Sequence, residues 1–469
     1  IVTAPVSAAI AAPDPGLQPV PRESRAGTLK PVRVAAPDNA GATQTTVLVK
    51  GRFLYTRDDG QIIPVMGATV RVYDEDWDFD ELMATTLTDS DGRFSVSGSE
   101  DESGPDIYVE IEMANSRVVV EDDNLEFNYM FRSNVKDDFG GSTADFGTFS
   151  PNGNLGNSIC HVFTNVYRAA RFVASYGWNT PSVDVQYPSS NWPHYDGSEI
   201  HIPTVVDGRD FGWQSGTHMH EFGHHVQRSF FHVPDHDYDN GICNNPNGDP
   251  GHCMFCQEDG GTAIKEGFAN FLADRVGRTF ETEYGLAVRN GRWAEDLNDC
   301  NDTNGNPCAC DPYRTEGFFG ALLVDLTDSG LEDDPRGGFG SDKLTLGFNP
   351  VMDAMDLANA DGPSEFIDDF VARHPELDRS ALWNTMSNAG YELDTANPGI
   401  SPYFQSTSHN AGLACDRDIA WIARGPRVRH NYAIKGRIST MDTAATALSA
   451  LGLQPMTRIV GQPVTEIFQ

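Results

Sequence analysis

The chain has no long apolar segment, and its basic residues are few. No run of about 20 apolar residues occurs, so a membrane-spanning helix is not expected. Among the 469 residues, 33 are Lys or Arg and 68 are Asp or Glu, which gives a formal charge of −35. A polyanion of this kind repels nucleic acid and anionic lipid. The composition therefore argues against both as partners and is compatible with salt tolerance, divalent cations and an extracellular location.

The first residues and the cysteines favour export. Residues 1–12, IVTAPVSAAIAA, are small and apolar and resemble the end of a secretory signal peptide, with a flexible terminus as the alternative. Of eight cysteines, six lie in Gly/Asn/Asp-rich loops between Cys243 and Cys310, where disulfide pairing is expected. Cys253-x-x-Cys256 could bind zinc, but no second such pair lies nearby. We expect a secreted, extracellular or periplasmic protein.

The length predicts more than one domain. Residues 1–44 form a signal-peptide remnant and linker, rich in Pro, Ala and Gly. Residues 45–145 are predicted as an all-β sandwich, because apolar residues alternate with polar ones between Asp- and Gly-containing turns. The predicted strands are Thr46–Tyr55, Ala68–Tyr73, Arg93–Val96 and Ile107–Ile111.

The segments GRFLY, PVMGATVRVYD and TDSDGRFSV resemble, in their order, the small transthyretin-like or carboxypeptidase-regulatory-like β-sandwich. The resemblance implies an accessory module without catalytic residues of its own. The acidic run Asp74–Glu81 offers oxygen ligands for calcium, although a solvated loop at a strand end is the favoured interpretation.

Residues 150–397 are predicted as a mixed α+β domain. Helical spacing of apolar residues begins in Ile159–Tyr176, and two short strands follow, Ser182–Tyr187 and Glu199–Pro203. The second of these is the candidate edge strand of an active-site cleft. The remaining predicted helices are Gln214–Phe230, Thr262–Val276, Glu316–Leu326 and Gly362–Arg373.

His220, Glu221 and His224 form an H-E-x-x-H motif on one of these helices. Residues four apart share a helix face, so both imidazoles can bind one tetrahedral zinc ion. Glu221 projects beside the metal, where it can hold a water and take its proton as the general base. Gly223 weakens the helix, which predicts close approach of another helix at this position.

The third protein ligand of the zinc ion distinguishes the subclasses of proteins that carry the H-E-x-x-H motif. A metzincin needs Gly and a third His at fixed spacing after the motif, but Gln227 and Phe230 occupy those positions. Glu266 in Lys-Glu-Gly-Phe-Ala-Asn falls on a second predicted helix, with small residues at 267 and 269 that allow packing on the first. Asn270 shares its face, and Asp274 follows one turn later. Asn270 could orient a ligand histidine by a hydrogen bond to the ring nitrogen that does not bind the metal.

HEFGHH together with KEGFANF resembles the gluzincin, or thermolysin-like, clan of zinc metallopeptidases. The resemblance implies a zincin-type catalytic domain over residues 150–397, in which His220, His224 and Glu266 bind the metal and Glu221 is the base. Two departures stand out: about forty residues separate the motifs, and Asn270 replaces the usual Asp. The intervening loop 235–261 is predicted to be a flap held by disulfides. Rival third ligands lie in or just before this loop: His232, His236, His252, Glu258 and Asp259.

Other residues near the motifs are weaker candidates. Tyr313 is similar to a tyrosine that precedes a Gly-containing helix in gluzincin aminopeptidases, which makes it the candidate oxyanion donor, with a core tyrosine as the alternative. His218 and His225 are expected at surface or outer positions off the metal face. Calcium is a further candidate cofactor at Asp235–Asp239 and Asp296–Asp299, where a solvated loop is an equal alternative.

The sequence thus predicts a secreted zinc peptidase that acts on a protein or peptide substrate. The first alternative is a non-catalytic surface or adhesion protein with a structural zinc site. Residues 398–469 are an uncertain C-terminal segment: Ser401–Ala423 resembles the first strands of an immunoglobulin-like module. Residues 432–468 resemble the C-terminal edge of alkaline-phosphatase-superfamily enzymes, without a phosphatase nucleophile or a complete metal set. A phosphatase-related protein is therefore the second alternative.

Overall fold

A computed structural model describes most of the chain between residues 45 and 391. The described residues are 20–21, 33–34, 45–77, 80–100, 104–123, 127–189, 192–206, 208–233, 252, 254, 258–284, 312–327, 344–378, 381–382, 385–386, 389 and 391. All of them fall within the compact unit of residues 1–415. The predicted tail 398–469, both predicted calcium loops, His236 and the cysteines from Cys243 onward lie outside the described residues.

The first part of the chain is rich in β-structure, as its alternating pattern predicts. Its strands are β1 Val20–Pro21, β2 Arg33–Val34, β3 Thr45–Thr56, β4 Ile62–Pro64, β5 Thr69–Asp74, β6 Glu81–Leu87, β7 Arg93–Glu100, β8 Ile107–Glu112, β9 Val118–Glu121, β10 Tyr129–Arg132 and β11 Thr143–Phe149. The predicted turn before β7 is present, where Gly92 donates its backbone N–H to Asp89 and has a φ of 72°.

All of these strands except β9 form two sheets that pack on each other. One sheet has the order β1-β10-β8-β5-β6-β2. The other is built around β3, which pairs with β7 antiparallel, with β11 parallel and, near its end, with β4. Phe53 on β3 contacts Phe131 on β10 across the two sheets, with ring centroids 5.4 Å apart. Burial of such apolar faces is what stabilises a sandwich.

The second part of the described chain contains six helices and a small sheet. Its elements are α1 Gly153–Ser175, β12 Val183–Ser189, β13 His194–Tyr195, β14 Glu199–Pro203, β15 Val205–Val206, β16 Arg209–Asp210, α2 Ser215–Phe230, α3 Gly260–Tyr284, α4 Glu316–Thr327, α5 Phe348–Ala358 and α6 Pro363–Arg373. The five helices predicted from periodicity are confirmed. The sequence analysis missed α5, and α3 is longer than the helix predicted over 262–276.

The small sheet has the order β13-β14-β12-β9. Its strand β9 comes from the β-rich part of the chain and pairs in parallel with β12, so the sheet joins the two parts. The prediction that Glu199–Pro203 is the edge strand is wrong, because β13 pairs with it on the outer side. The reason is a tight turn at Gly197, whose φ is 103°, in which Asp196 Oδ1 accepts N–H groups from Ser198 and Glu199.

None of the helices in the described part of the chain is both long and apolar enough to cross a lipid bilayer.

Candidate metal centre

The helix α2 carries the H-E-x-x-H residues through the core. Met219, Phe222 and Val226 are fully buried, so hydrophobic packing fixes the helix on several sides. Gly223 allows its close contact with α3, because a Cβ at this position would lie 2.7 Å from Ala269 Cα. The predicted close approach at Gly223 is confirmed.

The helix α3 is held between α2 and α4 by small residues. Ala269 faces α2, as expected, but Gly267 faces α4 instead: a Cβ on Gly267 would lie 2.7 Å from the Glu316 carbonyl oxygen. The expectation of packing on α2 is therefore confirmed for Ala269 and wrong for Gly267. Successive small residues point to different sides of a helix, so one serves each neighbour.

Three side chains converge between α2 and α3. Glu266 Oε2 lies 3.1 Å from His220 Nε2 and 3.1 Å from His224 Nε2, and the two Nε2 atoms are 3.2 Å apart. Ligands of a tetrahedral zinc ion are about 3.3–3.4 Å from each other when each bond is about 2.0–2.1 Å. The triangle is only slightly smaller than that, and it has the donor set that zinc prefers.

The outer nitrogens of both imidazoles are bound by amide oxygens. Asn270 Oδ1 is 2.8 Å from His220 Nδ1, and its Nδ2 lies 3.4 Å from the Glu316 carboxylate. Gln227 Oε1 is 3.0 Å from His224 Nδ1, and its Nε2 donates to the Lys265 carbonyl at 2.9 Å. In each case the second acceptor fixes which way the amide faces.

These amides set the tautomers of the metal-facing rings. When a cation occupies the triangle, each Nδ1 carries the proton, because the amide oxygen accepts it, and each Nε2 lone pair then points to the ion. Asn270 is placed where the sequence predicted an orienting group. The sequence analysis did not identify Gln227 as the partner of His224, although its i, i+3 spacing on the same helix could have indicated it.

The triangle attracts positive charge. Burial lowers the pKa of His220, but the hydrogen bond to Glu266 and the charges of Glu221 and Glu266 outweigh it and leave this pKa raised. Burial raises the pKa of Glu266, yet the charges of His224 and His252 and the hydrogen bonds from His220 and His224 hold it well below its usual range. A divalent cation supplies this charge more fully than a proton does.

Glu221 differs from Glu266 in its surroundings. Its side chain is 5% exposed. Within the described part of the chain, no hydrogen bond or ion pair engages its carboxylate, although its charge acts on the adjacent His220. A carboxylate in this state is available to bind and deprotonate water.

Two of the rival third ligands in the described part of the chain are bound elsewhere. His232 Nε2 is 2.7 Å from Asp361 Oδ1 at the surface, and Asp259 binds the backbone N–H of Thr262 at the start of α3. The backbone of Glu258 pairs with Arg314, and the charge of its carboxylate raises the pKa of His252 against the effect of burial. His252 lies near the triangle, with its Nε2 3.6 Å from Glu266 Oε2.

Tyr313, His218 and His225 have structural contacts. The ring of Tyr313 is buried against Tyr391, with centroids 5.1 Å apart, so an oxyanion role for it stays a prediction. Of the two positions expected for His218 and His225, the surface one is wrong, because both are buried. His218 contacts the Phe211 carbonyl at 2.7 Å and Asn165 at 3.3 Å, and His225 contacts the Pro181 carbonyl at 3.2 Å. Both point away from the triangle, as predicted.

Two further predictions concern side chains near the core. Asp274 is fully buried and pairs with Arg278 at 2.7 Å, not with the triangle. Cys160 is buried in α1 as a free thiol and does not belong to the six loop cysteines for which disulfide pairing is expected. A buried thiol in a helix packs as a small apolar side chain.

A separate acidic group lies on the small sheet. Glu121, Asp184 and Glu199 bring oxygen atoms within 4.8 Å of one another. Gln186 donates its amide to Glu121 at 2.6 Å and to Glu199 at 3.2 Å, so a neutral donor already bridges these carboxylates.

Comparisons with known proteins identify the β-rich part. Residues 62–119 match the model of the transthyretin-like family, which agrees with the predicted module. No curated protein matches the chain.

Solved structures give partial matches only. A 9R-lipoxygenase from Cyanothece PCC8801 is 16% identical over 33% of this chain, with a TM-score of 0.19, and the match spans 26% of the lipoxygenase. The plantain pollen allergen Pla l 1 is 11% identical over 23% of this chain and 98% of the allergen, with a TM-score of 0.15. At TM-scores this low, the likeness supports no conclusion about function.

Proposed function

We propose that the chain is a zinc-dependent peptidase of the gluzincin type, with His220, His224 and Glu266 as the metal ligands. The observation that carries the proposal is the triangle of two lone pairs and one carboxylate oxygen at 3.1–3.2 Å. Without a cation or a proton between them these three atoms repel one another, and the amides behind the rings hold them in place.

Three protein ligands favour a catalytic site over a structural one. Structural zinc sites are usually closed by four protein ligands, whereas catalytic sites leave a position open. Zinc, when bound, acts as a Lewis acid toward a carbonyl and acidifies water. Glu221 removes the proton of the attacking water and then delivers it to the departing amine; its buried carboxylate and the action of its charge on the adjacent His220 support this role.

The test combines metal content with hydrolysis. Protein purified without chelators is expected to carry at least one zinc per chain and to cleave casein or a fluorogenic peptide. A chelator should abolish cleavage, and added zinc should restore it. Zinc without hydrolysis would favour the alternative of a surface or adhesion protein with a structural site. A chain with neither zinc nor hydrolysis would refute the proposal.

A further inference from the structure

A cavity of about 640 Å³ opens on the β-rich part of the chain. It is lined by residues of β3, β6, β7 and β11 and by the turn before β7. A volume in this range is typical of ligand-binding sites. None of the lining residues belongs to the proposed metal centre, so the two sites share no ligand.

The lining brings basic residues together in a chain that has few of them. Lys50 and Arg52 lie two residues apart on β3, so they project from the same face of the sheet. Arg93 on β7 joins them, against two acidic lining residues, Asp89 and Asp145. Only 33 of the 469 residues are Lys or Arg, and the formal charge of the chain is −35. The cavity therefore carries a local excess of positive charge that the composition does not predict.

Arg52 and Arg93 form a cross-strand pair of like charge, because they lie directly opposite each other in the antiparallel register of β3 and β7. Side chains in such positions have Cβ atoms about 4.5–5.5 Å apart, and like charges there destabilise a sheet. Asp91 holds both side chains. Its carbonyl accepts from Arg52 Nε at 2.8 Å, and its carboxylate pairs with Arg93 at 2.8 Å. This one carboxylate compensates only one of the two guanidinium charges.

The guanidinium of Arg52 has donors available for a ligand. In the part of the chain that the structure describes, its hydrogen bonding is limited to the Asp91 carbonyl, and no carboxylate pairs with it. A guanidinium presents its N–H donors in a planar fork that matches the two oxygens of a carboxylate. The terminal nitrogens of Arg52 can therefore bind an anionic group in the cavity.

The other two cations can exchange their partners at little cost. Lys50 Nζ is 3.1 Å from Asp145 Oδ2, and the lysine side chain is 45% exposed. Arg93 is 59% exposed, and so is most of its partner Asp91. Ion pairs this exposed contribute little to stability, because water competes for both charges. A ligand carboxylate can therefore recruit either side chain.

We propose that this cavity binds an acidic peptide segment, with one carboxylate on Arg52 and another on Lys50 or Arg93. A compact anion such as phosphate would be repelled by Asp89 and Asp145 in the same lining. A peptide spreads its charges along the chain, so it can turn carboxylates to the cations and backbone N–H groups to the aspartates.

Two further features suit a peptide. Leu87 is 47% exposed at the cavity, so an apolar side chain of the ligand can cover it. The negative charge of the rest of the chain opposes the approach of an acidic peptide, but at physiological salt that field is screened beyond about 8 Å. Contacts within the cavity are shorter than this distance. The proposal does not depend on the zinc site.

The experiment measures binding of a short, glutamate-rich peptide with a fluorescein label to the full chain. Fluorescence anisotropy is recorded at about 0.15 M salt. Phenanthroline, an uncharged chelator, is present so that the peptide is not hydrolysed. The comparison peptide has the same label and Gln in place of every Glu. We expect saturable binding of the Glu peptide and binding at least about tenfold weaker for the Gln peptide.

Arg52→Gln should weaken binding of the Glu peptide by about 10–100-fold, because it removes charge-assisted hydrogen bonds. Arg117→Gln is the matched control: this guanidinium contacts Asn179 Oδ1 at 3.1 Å outside the cavity, and the variant should bind as the wild type does. Urea denaturation separates binding from a structural role. Arg52→Gln relieves the like-charge pair, so it should be at least as stable as the wild type.

Three results would overturn the proposal. The first is equal binding of the Glu and Gln peptides, or wild-type affinity in Arg52→Gln. The second is tighter binding of inorganic phosphate than of the Glu peptide, which would assign the cavity to small anions. The third is a loss of stability in Arg52→Gln, which would show that the guanidinium supports the sheet and is not kept for a ligand. The zinc peptidase would stand or fall separately, because no measurement here counts metal or hydrolysis.

Discussion

His220 Nε2 and His224 Nε2 lie 3.2 Å apart, and an amide oxygen behind each ring turns its lone pair toward the other. Neutral imidazoles in this arrangement repel each other, so the geometry is favourable only when a cation or a proton lies between them. Asn270 and Gln227 therefore preorganise the pair for metal at a cost in stability to the metal-free protein. This relationship leads to several of the predictions below.

Replacement of Glu221 by Gln should abolish turnover and spare the metal. The variant keeps all three proposed ligands but loses the base, so we expect kcat to fall by about 10²–10⁴-fold while zinc content stays unchanged. Metal analysis and a peptide assay on the same preparation check this. Glu376→Gln, at an exposed glutamate, is the control. Loss of zinc from the Glu221 variant would mean that Glu221 is itself a ligand.

Replacement of Glu266 by Gln should weaken zinc binding by more than about 100-fold. This loss exceeds the one expected when a residue that only hydrogen-bonds to a metal ligand is replaced. The carboxylate supplies both a coordination bond and a charge that opposes Zn²⁺, and an amide supplies neither well. Competition with a chelator of known affinity measures the effect. If His252→Ala or Asp259→Ala removed the zinc and Glu266→Gln did not, the third ligand would lie in the loop before α3.

Gln227→Ala and Asn270→Ala should each lower zinc affinity by about 10–100-fold, because each frees the Nδ1 of one ligand ring. Asn349→Ala, which removes a surface amide paired with Trp178, is the control and should leave the affinity unchanged. A Gln227 variant with wild-type affinity would show that the ring of His224 needs no support from the amide.

Gly223→Ala should destabilise the protein by about 1–3 kcal/mol, because the added methyl meets the backbone of Ala269 at 2.7 Å. Urea denaturation measures the change in the free energy of unfolding. Zinc affinity should fall as well, since α2 and α3 must separate. Gly140→Ala is the matched control: a Cβ at that position has no neighbour within 4 Å, so its stability should hardly change.

His161 should make the folded state sensitive to acid. Burial, followed by the charges of His218, Arg168 and Arg57, holds its pKa well below the ordinary value of 6.5. The unfolded chain binds the proton below about pH 6.5 and the folded chain does not, so stability is lost as the pH falls below that value. One such histidine costs about 2 kcal/mol between pH 7 and pH 5.

The variant His161→Gln isolates this contribution. Its free energy of unfolding, measured with urea at several pH values and at equal zinc, should fall less steeply with acid than that of the wild type. His374→Gln removes a partly exposed histidine that pairs with Glu376, and it should keep the wild-type slope. Parallel curves for His161→Gln and the wild type would contradict the prediction.

The chain pattern was sufficient to predict most of the elements around the site. The sequence located α1, α2, α3, α4 and α6, and the apolar residues of α1 recur at helical spacing. Periodicity could not show that β13 pairs with the outer side of β14, because β13 has only two residues, His194 and Tyr195, and these are too few to show an alternating pattern. It also did not locate α5, whose buried positions include Phe348, Val351 and Met355.

The sequence by itself determined that two imidazoles and one carboxylate share α2, because helical spacing is a local property of the backbone. The tertiary structure decided which distant groups join them. Glu266 was one of several acidic or histidine candidates, and only the packing of Gly223 on Ala269 brings its Oε2 to 3.1 Å from both rings. The direction of the Gln227 amide depends on a carbonyl of α3, and the place of His252 depends on Glu316 of α4. Contacts between separate helices leave no local pattern, because they arise only when the core packs.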